Sequence, residues 1–116
     1  MAYRNNLEIF LNPASVAVVG ATERPGSWGS FIMNGLLSKN FKGKIYPVNH
    51  NKDKLFGLPA TRDIRDIAGP VDLAILTIPE SAVEEAVKSC GKKGVKGITI
   101  ITAGFSEVYE MEERKQ

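Results

Sequence analysis

The sequence of 116 residues predicts a single α/β domain built on a doubly wound parallel sheet. Short runs rich in Val and Ile alternate along the chain with segments of helical periodicity. Most of these runs are apolar on both faces, as expected for strands that helices cover from two sides. Right-handed crossovers between about five such strands give a doubly wound sheet, for which we expect the strand order 3-2-1-4-5.

Five segments have the composition of strands. Four are rich in Val and Ile, namely residues Ser15–Val19, Lys44–Val48, 72–78 and 97–102. The fifth, residues 58–60, is weaker, because Pro59 cannot donate a ladder hydrogen bond and suits only the edge of a sheet.

The first predicted helix covers residues 27–39. Its apolar positions recur at i, i+3, i+4, i+7 and i+8, and they are Trp28, Phe31, Ile32, Gly35 and Leu36. Because the buried face of an amphipathic helix carries such a stripe, we expect Trp28 to lie in the core rather than over a ligand.

The second predicted helix covers residues 80–90. Ser81 and Glu84 have the spacing of a capping box at its start, and Gly91 is the expected C-terminal stop. Cys90 falls on the apolar stripe, so we interpret it as a core residue rather than a reactive thiol. A short helical turn is expected at residues 62–67.

The composition is ordinary for a globular protein, with 43% apolar residues, 24% charged residues and a net charge of +2. This charge is too small to indicate nucleic acid or a membrane surface as a partner. The single cysteine excludes an intrachain disulfide and a cysteine-rich metal site. No secretory signal or membrane-length apolar run is seen, so we expect a cytoplasmic domain without a metal.

The sequence GATERPGSWG, residues 20–29, joins the first strand to the first helix. Doubly wound sheets bind ligands at the carboxyl ends of their strands, and helix N-termini attract anions. We expect Gly20 to form a tight turn, Gly26 to let a ligand approach the backbone, and Gly29 to let the helix approach the strand.

Polar groups of the same loop complete a predicted phosphate site. The amides of Ser27, Trp28 and Gly29 open the helix and are expected to face an anion. We expect the side chain of Arg24 and the hydroxyls of Thr22 and Ser27 to contribute further donors. Glycine-rich turns also serve as plain connections, so the spacing alone leaves ligand binding and mere connection equally open.

Two features count against a nicotinamide dinucleotide as the ligand. The glycine spacing is G-x5-G-x2-G instead of G-x-G-x-x-G. The second strand ends in YPVNHN, which places Asn49 and His50 where an acidic residue would read the ribose hydroxyls.

Four blocks in order carry a family resemblance: FLNPASVAVVGATERPGSWG, FKGKIYPVNHN, VDLAILTIP and CGKKGVKGITIITAGFSE. They resemble the N-terminal CoA-binding domain of NDP-forming acyl-CoA synthetases. The best-known members of that family are the ADP-forming acetate–CoA ligases, and the α subunit of succinyl-CoA synthetase is a more distant relative. The resemblance spans nearly the whole chain and implies a Rossmann-like fold and coenzyme A as the ligand.

The resemblance implies a CoA site along the carboxyl edge of the sheet. The loop residues implied for the ADP-like end of CoA are Gly20, Ala21, Thr22, Arg24, Pro25, Gly26, Ser27, Trp28 and Gly29. Asn49 matches a position that contacts the adenosine-phosphate part. Further along, Thr77, Ile78 and Pro79 would flank the CoA, and Thr102, Ala103 and Gly104 would line the pantetheine arm.

The family reaction interconverts acyl-CoA, ADP and phosphate with an acid, CoA and ATP, through an acyl phosphate and a phosphohistidine. The resemblance implies that the phosphohistidine lies in a following domain. His50 is therefore expected to be a loop residue, no catalytic residue is assigned, and the 116 residues alone are expected to be inactive.

Residues 1–116 are accordingly expected to be the CoA-binding domain of a longer chain. Ser106 begins a helical sequence that stops early, which indicates a fragment. The implied partners are downstream ligase and ATP-grasp domains or a second subunit, in an oligomer. Two alternatives stay open: a regulatory CoA-binding module of a protein lysine acetyltransferase, and a free-standing CoA- or nucleotide-binding protein.

Overall fold

A computed structural model describes residues 11–101. In chain order its elements are β1 (Ser15–Val19), α1 (Trp28–Ser38), β2 (Lys44–Val48), β3 (Lys54–Leu55), β4 (Leu58–Pro59), β5 (Leu73–Leu76), α2 (Val83–Lys93) and β6 (Gly97–Ile100). Four of the strands form one sheet in the order β2-β1-β5-β6, and every pair in it is parallel. The predicted α/β, Rossmann-like class is confirmed.

The two faces of the sheet carry separate cores. Val16 and Val18 of β1 pack with Met33 of α1 on one face. Ala17 of β1 packs with Cys90 of α2 on the other face. Because successive strand residues point to opposite faces, this central strand is covered on both sides, and the sheet is doubly wound as predicted.

The predicted fifth strand is not part of this sheet. Within residues 58–60, Leu58 and Pro59 form β4, which pairs antiparallel with β3 in a two-stranded hairpin. The chain then touches the outer edge of β2 through a single parallel bridge between Thr61 and Val48. Pro59 has no amide hydrogen to donate, which disfavours a longer ladder here. The described sheet therefore has four strands, and a single bridge lies where the fifth strand was predicted.

Helix α1 buries only part of the predicted apolar stripe. Gly29, Ser30 and Met33 are buried, whereas 49% of Trp28 and 66% of Phe31 are exposed. The prediction that Trp28 lies in the core is therefore wrong. Gly29 lies against the end of β1, where a Cβ would be 2.2 Å from the carbonyl oxygen of Gly20. Ile32 and Leu36 of the predicted stripe still pack against the core on this face of the sheet.

Helix α2 begins and ends differently from the prediction. A 3-10 turn, Glu80–Ala82, precedes it, and neither this turn nor α2 has a side-chain N-cap. The predicted capping box of Ser81 and Glu84 is therefore wrong. The helix continues through Gly91 and ends at Gly94, whose φ of 87° is left-handed. Cys90 is buried as predicted, and burial raises the pKa of its thiol.

The amino ends of β1 and β5, which lie at one edge of the sheet, are joined by buried polar groups. The Ser15 hydroxyl donates to the Pro70 carbonyl oxygen (2.9 Å) and accepts from the Asp72 amide (2.9 Å). The Asp72 carboxylate accepts from the Ala14 amide at 2.8 Å. These bonds fix the register of the two central strands, and their carboxyl ends are thereby aligned at the other edge.

Gly29 and Gly35 of α1 provide a matched pair of substitutions. A Cβ at Gly29 would meet the Gly20 backbone, whereas a Cβ at Gly35 has no heavy atom within 4 Å beyond its neighbours. We predict that Gly29→Ala lowers the free energy of unfolding by about 2 kcal/mol. Gly35→Ala should raise it by about 0.5 kcal/mol, because Ala is the better helix former. Urea denaturation measures both, and equal effects would contradict the close approach at Gly29.

Candidate functional site

The carboxyl ends of β1, β2 and β5 are bound directly to one another. The Val48 carbonyl oxygen at the end of β2 accepts from the amides of Gly20 and Ala21 at 3.0 and 3.2 Å. The Val19 carbonyl oxygen at the end of β1 accepts from the Thr77 amide (2.8 Å) and the Thr77 hydroxyl (3.0 Å). The loop after β1 therefore starts from a rigid base.

The three glycines of this loop have different surroundings. A Cβ at Gly20 would lie 2.5 Å from the Thr77 carbonyl oxygen, and one at Gly29 would strike Gly20. Gly26 has a φ of 84°, and a Cβ there would have no heavy atom within 4 Å beyond its neighbours. The first and last glycines thus serve close backbone contacts, as predicted for Gly29, and Gly26 leaves its backbone open to solvent.

Ser27 is the N-cap of α1. Its hydroxyl oxygen accepts from the Ser30 amide at 3.2 Å, and the hydroxyl donates to the Arg24 carbonyl oxygen at 2.8 Å. The hydroxyl hydrogen of Ser27 is therefore used within the loop and not left for a ligand as predicted. The first amides of a helix have no intrahelical acceptor, so those of Trp28 and Gly29 are placed to donate to an anion.

Two side chains attach the loop to other parts of the chain. The Asn49 amide nitrogen donates to the Ala21 carbonyl oxygen at 2.8 Å. A Glu23 carboxylate oxygen accepts from the Phe56 amide, in the turn of the β3–β4 hairpin, at 2.7 Å. Sequence reasoning missed this role of Glu23, because its partner is 33 positions away along the chain.

A cavity of about 270 Å³ lies beside the loop, at the ends of β1 and β2 and against α2. Its apolar lining consists of Val19, Val48, Ile64, Ile78, Ala82 and Ala86. Its polar lining consists of Gly20, Asn49, His50, Asn51, Arg62, Asp63, Glu85 and Ser89. A slot with apolar walls and a few polar groups suits a flat heteroaromatic ring.

The 3-10 turn Ile64–Asp66 supplies part of this lining, and Asp63 caps it. The Asp63 carboxylate accepts from the Arg65 amide (2.8 Å) and from the Arg65 guanidinium (2.8 and 3.0 Å). These bonds hold the pKa of Asp63 below its usual value, and the bonds from the guanidinium have the largest effect. Ile64 is buried as a result of this turn and forms one wall of the cavity.

A second, shallower depression of about 600 Å³ lies at the outer side of the loop. Its main side chains are Pro25, Trp28, Phe31 and Phe56. The rings of Trp28 and Phe31 meet edge to face with their centroids 5.7 Å apart. Within the described residues, this groove shares no lining residue with the cavity, so the loop separates two concave surfaces.

The expected site residues are distributed over these surfaces. Gly20, Asn49 and Ile78 line the cavity, whereas Pro25, Gly26, Ser27 and Trp28 line the groove. The remaining expected positions are Ala21 and Gly29, which are buried, Thr22 and Thr77, which are partly buried, and Arg24 and Pro79, which are exposed. Thr102, Ala103 and Gly104 lie outside the described residues, as does Ser106.

Sequence reasoning missed several cavity residues, among them Arg62, Asp63, Glu85 and Ser89. They come from a turn and a helix that carry no recognisable motif. Over residues 11–101, no group of three or more His, Cys, Asp or Glu side chains is placed to hold a metal ion. In the same range no helix has the length and apolar character needed to cross a bilayer.

A family model described as a CoA binding domain matches residues 14–115 of this chain. The chain is 46% identical over 104 residues to an ADP-forming acetate–CoA ligase of Methanocaldococcus jannaschii, which covers 88% of this chain and 14% of that protein. It is 40% identical over 100 residues to an ADP-forming 4-hydroxybutyrate–CoA ligase of Nitrosopumilus maritimus, which covers 86% of this chain and 14% of that protein.

Solved structures agree with these relatives. The dinucleotide forming acetyl-coenzyme A synthetase 1 of Ca. Korarchaeum cryptofilum, in complex with phosphate and ADP, matches with a TM-score of 0.84 and 43% identity. The match covers 96% of this chain and 24% of that chain. This chain thus spans between 14% and 24% of the length of these relatives.

The Asp63 cap gives a pH-dependent prediction. Because its pKa is lowered from 3.8 on folding, Asp63 stabilises the protein fully above about pH 4, and this contribution is lost as the pH falls through the lower folded-state pKa. We predict that Asp63→Ala costs about 1 kcal/mol of unfolding free energy at pH 7, mainly from the lost cap.

The difference between wild type and Asp63→Ala should shrink in urea titrations from about pH 5 to about pH 2. Asp53→Ala is the control, because its ion pair with Arg62 is exposed and should contribute almost nothing. A cost that is equal at every pH would show that the charge of Asp63 is not what stabilises the turn.

Proposed function

This chain belongs to the CoA-binding domain family, and on that premise we propose that it binds coenzyme A for an ADP-forming acid–CoA ligase. The observation that carries the proposal is the open backbone at Gly26, next to the first amides of α1, which have no acceptor within the helix. Backbone N–H groups at a helix N-terminus are suited to phosphate oxygens, and CoA carries a diphosphate and a 3′-phosphate.

In the proposed complex the adenine ring lies in the cavity. Val48, Ile64 and Ile78 supply apolar contacts to its faces, and the polar groups of the lining remain for its edge. The diphosphate then crosses the loop from Gly20 toward Gly26, where the amides of Trp28 and Gly29 donate to it. The exposed Arg24 adds a positive charge beside this path.

The rest of CoA extends along the same edge of the sheet. Thr77, Ile78 and Pro79 follow β5 and flank the ligand in this proposal. Thr102, Ala103 and Gly104 follow β6 in sequence, and we assign them to the pantetheine arm. The thiol at the end of that arm is thereby directed away from the adenine cavity, toward groups that this chain does not supply.

We further propose that residues 1–116 are one domain of a longer ligase that interconverts acyl-CoA, ADP and phosphate with an acid, CoA and ATP. The relatives support this, since most of their length lies outside the match. The phosphohistidine and an ATP-grasp domain belong to that remainder or to a second subunit, so this chain alone is inactive. We place the assembled, oligomeric enzyme in the cytoplasm.

The acid substrate is not a property of this domain. The relatives act on acetate and on 4-hydroxybutyrate according to their names, although they match this chain about equally well. Both are ligases, which favours a ligase over the acetyltransferase module and over the free-standing binding protein.

Calorimetric titration tests the proposal directly. We expect CoA to bind the 116-residue chain more tightly than ADP or NAD, and the difference from dephospho-CoA measures recognition of the 3′-phosphate. Preference for NAD would contradict the proposal, and so would the absence of CoA binding.

Gly26→Ala and Gly94→Ala test the role of the loop. Both glycines have φ near 85° and open space around a Cβ, so each substitution should cost about 1 kcal/mol of stability through backbone strain alone. We predict that Gly26→Ala lowers CoA affinity by about tenfold, because the methyl group stands where phosphate approaches. Gly94→Ala, at the far end of α2, should leave it unchanged. Equal CoA affinities of the Gly26→Ala and Gly94→Ala variants in calorimetry would show that the loop is not part of the site.

A further inference from the structure

The side-chain amide of Asn49 is bonded to three backbone groups of the protein. Its amide nitrogen donates to the Ala21 carbonyl oxygen at 2.8 Å. Its carbonyl oxygen accepts from the amides of Asn51 and Lys52 at 2.7 and 3.0 Å. A side-chain carbonyl oxygen has two lone pairs, and both are taken here. If the side-chain amide were flipped, its NH2 group would face the Asn51 and Lys52 amides and its oxygen would face the Ala21 carbonyl oxygen. The three bonds therefore fix the orientation of the amide.

These bonds are part of a clamp on the start of the loop. The adjacent Val48 carbonyl oxygen accepts from the amides of Gly20 and Ala21. The Asn49 backbone amide in turn donates to the Thr61 carbonyl oxygen at 2.9 Å. Both polar backbone groups of Ala21 are thus held by the two residues Val48 and Asn49, and the segment that leads to Gly26 begins from this fixed point.

We propose that Asn49 acts on CoA binding as a positioning residue, which holds the loop in its phosphate-binding shape through its bonds to the backbone. The inference rests on the proposed function, and it differs from the direct contact with adenosine phosphate that the family resemblance implied. The amide group is essential, because this position must donate to Ala21 and accept from the following turn at the same time.

An acidic residue at this position would break the clamp selectively. In dinucleotide-binding domains a carboxylate at the end of the second strand reads the ribose hydroxyls. Here Asn49→Asp would keep the acceptor for Asn51 and Lys52, but it would set an acceptor against the Ala21 carbonyl oxygen. Two facing acceptors repel each other, so the loop would detach while the turn stays intact. The variant would therefore bind CoA more weakly.

The experiment compares wild type with Asn49→Asp and the uncharged Asn49→Ala. Calorimetry gives the affinities for CoA and ADP, and an NMR titration gives that for adenosine, which has no phosphate. We expect both variants to bind CoA and ADP about tenfold more weakly, with adenosine affinity unchanged. Hydrogen exchange of the Gly20 and Ala21 amides in the ligand-free protein should be about tenfold faster in both.

Asn34→Asp is the matched control. Asn34 is an exposed residue of α1, whose amide nitrogen donates to the Ser30 hydroxyl at 3.2 Å. The substitution adds the same negative charge without touching the clamp. It should leave the exchange of Gly20 and Ala21 unchanged, so a general charge effect is separated from detachment of the loop.

The outcomes distinguish the inference from the proposed function. Unchanged CoA affinity in both Asn49 variants overturns the positioning role. An equal loss of CoA and adenosine also overturns it, because it indicates direct contact with the nucleoside. If wild type fails to bind CoA, the proposed function falls. In that case hydrogen exchange by itself tests the clamp. Unchanged exchange at Gly20 and Ala21 in the Asn49 variants overturns it.

Discussion

The close approach of α1 to the end of β1 is the constraint on which this edge of the molecule depends. It is made at Gly29, where any side chain would collide with the Gly20 carbonyl oxygen. Gly20 in turn lies against the Thr77 backbone. Three elements therefore meet backbone to backbone, and the first amides of α1 are held close to the ends of the central strands. The orientation of the helix, and with it the exposure of Trp28, follows from this contact.

The loop between these glycines is shaped by contacts that do not involve a ligand. Ser27 closes it onto Arg24, Glu23 attaches it to the hairpin turn, and the residues after β2 hold its start. In the proposed complex such preorganisation lowers the entropic cost of binding, because the donors are in place before phosphate binds. Gly26 is the point at which this otherwise occupied loop presents bare backbone.

Much of the fold could be predicted from sequence, because most of the buried strands are recognisable by their continuous apolar composition. Ser15–Val19 and Lys44–Val48 were predicted to the residue. Topology also predicts the edge of the sheet at which we propose the site, since parallel strands end at one edge. The matching family model and the ligase relatives agree with the family that the four sequence blocks resemble.

The errors have a common physical origin in tertiary contacts. The stripe of Trp28 and Phe31 has helical periodicity, yet a backbone contact at Gly29 decided which face is buried. Ser81 and Glu84 have the spacing of a cap, but the chain enters α2 through a 3-10 turn after Pro79. The cavity lining from Arg62 to Ser89 comes from a turn and a helix that the sequence predicts, but neither segment carries a functional motif, so spacing alone could not reveal that they line one cavity.

The most direct measurement is a crystal structure of this chain with CoA. We predict the diphosphate within hydrogen-bonding distance of the Trp28 and Gly29 amides, with adenine between Ile64 and Ile78 and the Asn49 side chain still bound to Ala21. Adenine stacked on Trp28 and Phe31 in the outer groove, with the cavity empty, would contradict it.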